Sequence, residues 1–193
     1  MNISFLEKIP YRKEVFLLTY GFILTGIIGA VITFGLQSAS WRYQNNSAKL
    51  EKELNVASDV FEQISTVTDK RIYRMDKLDR WLVDGTDDVM INNLMREYRD
   101  VLYEWNDSYN KNKALVNLYF GTEVSTRFDY IHFFFKQVGN DLETQYYLSS
   151  ENRNQEQLVQ IGNRIGDLNN IALEINEGMI KKIQAQSVGS FQK

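Results

Sequence analysis

Apolar residues along this chain of 193 residues fall into two patterns. Over residues 15–36, VFLLTYGFILTGIIGAVITFGL, they run on without a single charge. From residue 42 onward they recur every three or four positions, with charged and amide side chains between them. The first pattern suits a helix surrounded by lipid, and the second suits helices with one apolar face. No stretch alternates with period two, so no strand is predicted. Pro10 is the only proline, and nothing after it forbids helix. The expected fold class is therefore all-α: an N-terminal single transmembrane helix, then an antiparallel four-helix bundle of long helices with coiled-coil-like packing.

The first bundle helix is predicted to run from the membrane exit to Val83. Its heptad stripe is Leu50, Leu54, Ala57, Phe61, Ile64, Thr68, Met75, Leu78 and Leu82. The slot between Thr68 and Met75 falls on Arg71, with Ile72 beside it. DGTDD at 84–88 breaks this helix, with Asp84 and Gly85 in the turn and Thr86 or Asp87 capping the next. The second helix starts near Asp87 and turns Ile91, Leu94, Tyr98, Val101 and Trp105 inward. NDSYNKNK at 106–113 reads as a polar loop interrupting it, and the lining of a ligand pocket is the competing reading. ALVNLYF resumes the apolar pattern before Gly121 ends it. The third helix begins near Thr122 and carries Val124, Phe128, Ile131, Phe135, Val138 and Leu142. SSENRNQ at 149–155 is the next turn. The fourth helix carries Leu158, Ile161, Ile165, Leu168, Ala172, Ile175, Met179 and Ile183, and SVGSFQK after it reads as frayed. The expected organisation is a short cytoplasmic segment (1–14), an anchor (15–38), a bundle domain (39–187) and a flexible tail (188–193).

The uncharged segment holds 22 residues, which as a helix span roughly 33 Å against a hydrocarbon core of about 30 Å. The small residues SAS at 38–40 suggest a signal-peptide cleavage site. The apolar region is too long for that, since such regions run about 7–15 residues. Trp41 and Tyr43 follow at the interfacial position. Lys8, Arg12 and Lys13 crowd the N-terminal flank, while Lys49 and Lys52 lie farther out on the other side than Arg42. The positive-inside rule then puts the N-terminus in the cytoplasm and the bundle outside, in the periplasm if the membrane is the inner membrane of a Gram-negative bacterium, which is the expected location. Gly21, Thr25, Gly29, Thr33 and Gln37 recur every four residues and form one ridge, a packing face for self-association or for a membrane partner.

Charge and composition narrow the chemistry. The net charge of −3 provides no basic footprint for nucleic acid. The absence of cysteine removes disulfides, thiolate metal sites and cysteine nucleophiles. His132 is the only histidine, so the Glu-x-x-His pair of a di-iron bundle is missing and Asp129-x-x-His132 stands alone. No phosphate loop, dinucleotide fingerprint or G-x-S-x-G elbow occurs. DGTDD has oxygens for calcium but not the ligand spacing. No cofactor, metal or catalytic residue is expected. In DYIHFFFKQVGND at 129–141, helical geometry puts Phe135 in the core stripe and Phe134 and His132 at the seams, with Phe133 pointing outward. Tyr130, Phe133 and Tyr147 form the candidate partner contact.

The expected function is non-enzymatic: an interaction or assembly subunit of a membrane complex. Its partners are the lipid bilayer and either further copies or another membrane protein. One alternative is a ligand-sensing module signalling through a membrane partner. Another is a membrane-disrupting effector of the holin or toxin kind. An anchor followed by an extracytoplasmic four-helix bundle resembles the sensing half of bacterial chemoreceptors. That likeness is one of layout, carried by no sequence motif, and it assigns no family.

Overall fold

The computed structural model describes residues 12–84 and 87–192, with side chains from residue 18. Its regular structure is helical: α1 (Arg12–Asp84), α2 (Asp88–Tyr147) and α3 (Gln155–Gln184), plus short 3-10 turns at Ser150–Asn152 and Gly189–Phe191. The all-α class holds, but the helix count differs from the expected anchor plus four. Between Gly35 and Asp84 no glycine or proline interrupts the chain, so the apolar segment and the first predicted bundle helix form one element, α1. The second and third predicted helices likewise fall within α2.

α2 is not straight. Gly121 sits at φ 85° and ψ 175°, a backbone region that is essentially glycine's alone. Tyr146 Oη donates to Asn92 Oδ1 at 2.6 Å, although 54 positions separate them. A straight helix would hold them roughly 80 Å apart. The chain therefore reverses at Gly121, and residues 88–120 and 122–147 lie side by side. The next helix start is also local in origin. Asp87 accepts from the backbone N–H groups of Val89 and Met90 at 2.9 and 3.0 Å, satisfying donors that α2 itself cannot. Gly85 and Thr86, expected in that turn, lie outside the described residues, as do residues 1–11.

The chain divides into two units, Met1–Lys49 and Leu50–Lys193. In the first, every residue from Leu18 to Leu36 is exposed. Residues 39–49, grouped with the bundle by the sequence reading, also fall in this unit.

In the second unit, side-chain bonds set the order of the rods. Arg74 pairs with Glu97, and Gln63 donates to Asn112 at 2.8 Å, joining α1 to the first half of α2. Arg127 pairs with Glu174 and Arg164 with Asp141, joining the second half to α3. Asn176 donates to Ser65 at 3.1 Å and Gln155 to the Val83 carbonyl, returning α3 to α1. In each set one residue number rises as the other falls, so neighbours run antiparallel. The predicted inward positions of α2 and α3 from Ile91 to Met179 are buried, and Ile183 is half-buried.

Two local expectations are corrected. Residues 106–113 are helical within α2, not a loop. Asn112 is fully buried there, accepting from Gln63 of α1 and donating to Ser108 one turn earlier in α2, so its polar groups are satisfied inside the packed helix. The tail is not frayed over its described residues. Val188 is fully buried, Ser190 donates to Glu53 at 3.1 Å, and Gln192 donates to the Leu118 carbonyl at 2.7 Å.

Candidate functional site: a cation buried beneath an aromatic cluster

The second unit has a mostly apolar core with a polar layer at mid-height. Its centre is Arg71, which occupies the inward slot on α1 that the heptad stripe assigned to it and is wholly buried. Its guanidinium carbon lies 4.4 Å from the Phe135 ring centre and 5.4 Å from that of Trp105. Among the described residues, none of its three nitrogens makes a well-aligned hydrogen bond, and the nearest polar group acting on it is the Tyr98 hydroxyl. Burial lowers its pKa to about 10, against a smaller upward pull from the Tyr98 hydroxyl. The guanidinium therefore stays charged at neutral pH. A buried charge with aromatic faces and no anion is an unbalanced arrangement, because quadrupole attraction replaces only part of the lost hydration.

A cavity of about 260 Å³ adjoins it. The two halves of α2 line its walls: Tyr98 and Asn106 from the first, Phe135, Lys136, Asn140 and Glu143 from the second. Arg71 is the one lining residue from α1. Gly139 matters at this seam, since a Cβ there would collide with the Tyr98 hydroxyl. The missing side chain lets the phenol reach the cavity wall.

Beside Arg71 runs a chain of polar aromatic contacts. Trp105 Nε1 donates to His132 Nδ1 at 2.9 Å, which leaves the neutral imidazole's proton on Nε2. The His132 ring stacks on Tyr109 with centres 3.7 Å apart. Tyr109 Oη donates to Asp129, whose other oxygen pairs with Lys113 Nζ at 2.7 Å. Burial, helped by the cations of Lys136 and Arg71, pushes the His132 pKa down to about 4. Burial pushes the Asp129 carboxyl up, but the bonds from Lys113 and Tyr109 outweigh it and hold the pKa below the ordinary value. The Tyr109 phenol is raised by burial and by Asp129. A second buried ion, Asp79, lies against Gly162 with one oxygen unpartnered, and burial lifts its pKa to about 6.

The opening aromatic run separates as helical geometry requires. Phe135 is buried against Arg71. Phe134 is half-buried, stacked on Tyr130 and lying under the Arg164 guanidinium at 5.3 Å. Phe133 is 57% exposed, which leaves it outside the core. Tyr130 and Tyr147 are also exposed, but Tyr147 sits about 21 Å along the helix from Phe133 and accepts a bond from Arg99 at 2.6 Å. The three aromatics thus do not form one compact patch. On α1, Gly21, Thr25, Gly29, Thr33 and Gln37 are all exposed, and the space beside Gly21 and Gly29 is open. Thr25 bonds its hydroxyl to the Gly21 carbonyl within the helix.

Among the described residues, no three His, Asp or Glu side chains gather where one metal ion could be held. The site sets a buried cation against aromatic faces, with a groove lined by amide and charged side chains beside it. Sequence reasoning noticed Arg71 in the stripe without assigning it a role. The available signal was a charge at an inward heptad position, seven residues after Ile64 and seven before Leu78. No protein-family model, curated protein or solved structure matches the chain.

Proposed function

We propose that this is a membrane-anchored, non-enzymatic binding protein whose body, an antiparallel four-rod helical bundle, serves as an interaction subunit of a membrane complex. The observation that carries the reading is the exposure of the apolar half of α1. Phe22 is 83% exposed and Phe34 74%, and no residue of the most apolar window is buried. At about 1.5–3 kcal/mol per large apolar side chain, keeping a dozen of them in water would cost on the order of 20 kcal/mol or more. A bilayer removes that cost, and the helix is long and apolar enough to cross one. The flanking charges favour a cytoplasmic N-terminus and an extracytoplasmic bundle, which in a bacterial inner membrane would be periplasmic. The open face at Gly21, Thr25, Gly29, Thr33 and Gln37 suits close packing against a second helix.

A second reading, ligand sensing by the bundle, is favoured by one specific feature: the buried charge of Arg71 beside a groove between the two halves of α2.

The test is affinity purification of the full chain from native membranes in mild detergent, with mass spectrometry of what co-elutes and cross-linking for self-association. A stoichiometric membrane protein or a defined oligomer is expected. Recovery of monomer alone across several detergents, or of the chain in the soluble fraction, would remove the basis of the reading.

A further inference from the structure

We propose that the outer face of α3, with the acidic edge of α1 beside it, docks a basic amphipathic helix of another protein. The buried residues of α3, from Leu158 to Met179, lie on one face. Outside that face a second apolar series recurs every seven positions: Val159, Leu173 and Ile180, with Gly166 in the remaining slot. Val159 is 60% exposed and Leu173 58%. The spacing keeps all four on one stripe, about 32 Å long. Single apolar residues are common on surfaces, but a heptad series is the seam by which one helix packs along another. At Gly166 the space outside the backbone is open, so a partner helix can approach closely there.

The other wall comes from α1. Asn176 reaches Ser65 and Gly162 lies against Asp79, so fourteen positions on α3 match fourteen on α1 in the opposite direction. In that register Glu62, Asp69 and Asp76 stand level with Ile180, Leu173 and Gly166 to within a residue. Each acid is three or four positions from Ser65 or Asp79, which puts it on the border with α3. Arg80 pairs with Asp76 at 2.6 Å, but Glu62 and Asp69 meet no cation among the described residues. Asp167, next to Gly166, is likewise unpaired there, while Glu177 holds Lys181 at 3.4 Å. An apolar seam flanked by unpaired acids selects its occupant by charge. A second copy of this chain would set these acids against its own. A helix with Lys or Arg beside its apolar positions satisfies them.

This inference rests on the interaction reading and names the surface and the chemistry of the partner. The full chain is purified from native membranes in mild detergent as wild type, as Leu173→Asp and as the double variant Glu62→Lys with Asp69→Lys. Asp100→Lys with Asp107→Lys reverses the same charge on exposed positions of α2 and serves as control. Recovery of the co-purifying membrane protein should fall about tenfold or more in the first two variants and hold in the control, with all melting curves unchanged. A photo-cross-linking phenylalanine analogue at position 173 should label a segment with heptad-spaced apolar residues and Lys or Arg beside them. The defined probe is a labelled heptad peptide with a leucine seam and lysine flanks. It should bind the wild type in phosphatidylcholine nanodiscs beyond its binding to empty discs, and a glutamate-flanked counterpart should not.

Undiminished recovery in Leu173→Asp overturns the proposal. An equal loss in the control does the same, since it would show charge attraction without a docking site. An adduct with a second copy, or with a segment lacking basic flanks, also overturns it. If a variant fails to fold, the peptide pair decides: equal binding of the lysine and glutamate peptides by the wild type sinks the idea. A wild type that recovers its partner while position 173 gives no adduct refutes this inference and leaves the interaction reading standing. A wild type that recovers no partner ends both.

Discussion

Replacing Arg71 with methionine should make the bundle more stable, contrary to the usual result of changing a fully buried residue. A guanidinium whose pKa falls from 12.5 to about 10 has lost about 3 kcal/mol of its preference for the charged form. The rings of Phe135 and Trp105 return part of this, about 1–2 kcal/mol for a desolvated cation over aromatic faces. Methionine keeps most of the side-chain volume and brings its own sulfur–aromatic attraction, about 0.3–1.5 kcal/mol. The balance favours Arg71→Met by roughly 2 kcal/mol, because no carboxylate is left unpaired when the charge goes. For a domain of this size that is a rise in melting temperature of about 6 °C. Thermal and urea melts measure it, and the urea slope should be unchanged if only stability moves. A methionine variant melting below the wild type would refute the reasoning. It would mean that Arg71 has a compensating partner in the folded protein.

Four further outcomes follow. Asp79 has a folded pKa of about 6 against 3.8 when unfolded, so the folded state binds the extra proton and stability should fall as pH rises from about 4 to 6. Asp79→Asn should flatten that slope and stabilise the protein at pH 7.5 by up to about 3 kcal/mol, measured by melts across pH. His132 works in the opposite sense. Its pKa drops from 6.5 to about 4, so stability present above pH 6.5 should be lost as pH falls toward 4, together with the Trp105 bond that needs the neutral ring. His132→Gln melts in the same pH series would lose that acid sensitivity. Gly121→Ala should destabilise by about 1–3 kcal/mol, because the backbone there is in a region that side chains avoid, and denaturant melts would read it. Phe133→Ala should leave the melting curve within about 0.5 kcal/mol of wild type while reducing co-purification of a partner; a large loss of stability would contradict the residue's exposure.

Much of this architecture is written locally. The spacing from Ile91 to Trp105, from Val124 to Leu142 and from Leu158 to Met179 marks the buried faces, because a helix repeats its orientation every three to four residues whatever surrounds it. Asp87 and Gly121 mark turns for equally local reasons: a carboxylate satisfies the first N–H groups of a helix, and glycine accepts a backbone angle that other residues resist. The uncharged run of residues 15–36 marks a helix long and apolar enough to cross a bilayer in the same way.

What the sequence could not decide depends on neighbours distant in the chain. NDSYNKNK reads as a loop by composition, yet it is helix, and its buried Asn112 is met by Gln63, 49 positions away. The tail reads as frayed, yet Glu53 and Leu118 meet Ser190 and Gln192. Arg71 shows the difference most sharply. Its inward position was legible from the heptad. Whether a carboxylate would meet it there was not, because pairing depends on which residues the reversal at Gly121 brings to the same height. Tertiary structure placed Phe135, Trp105 and a cavity around that charge and drew Glu143 toward Arg99. Periodicity sets which way a side chain points, and only the packed fold sets what it finds.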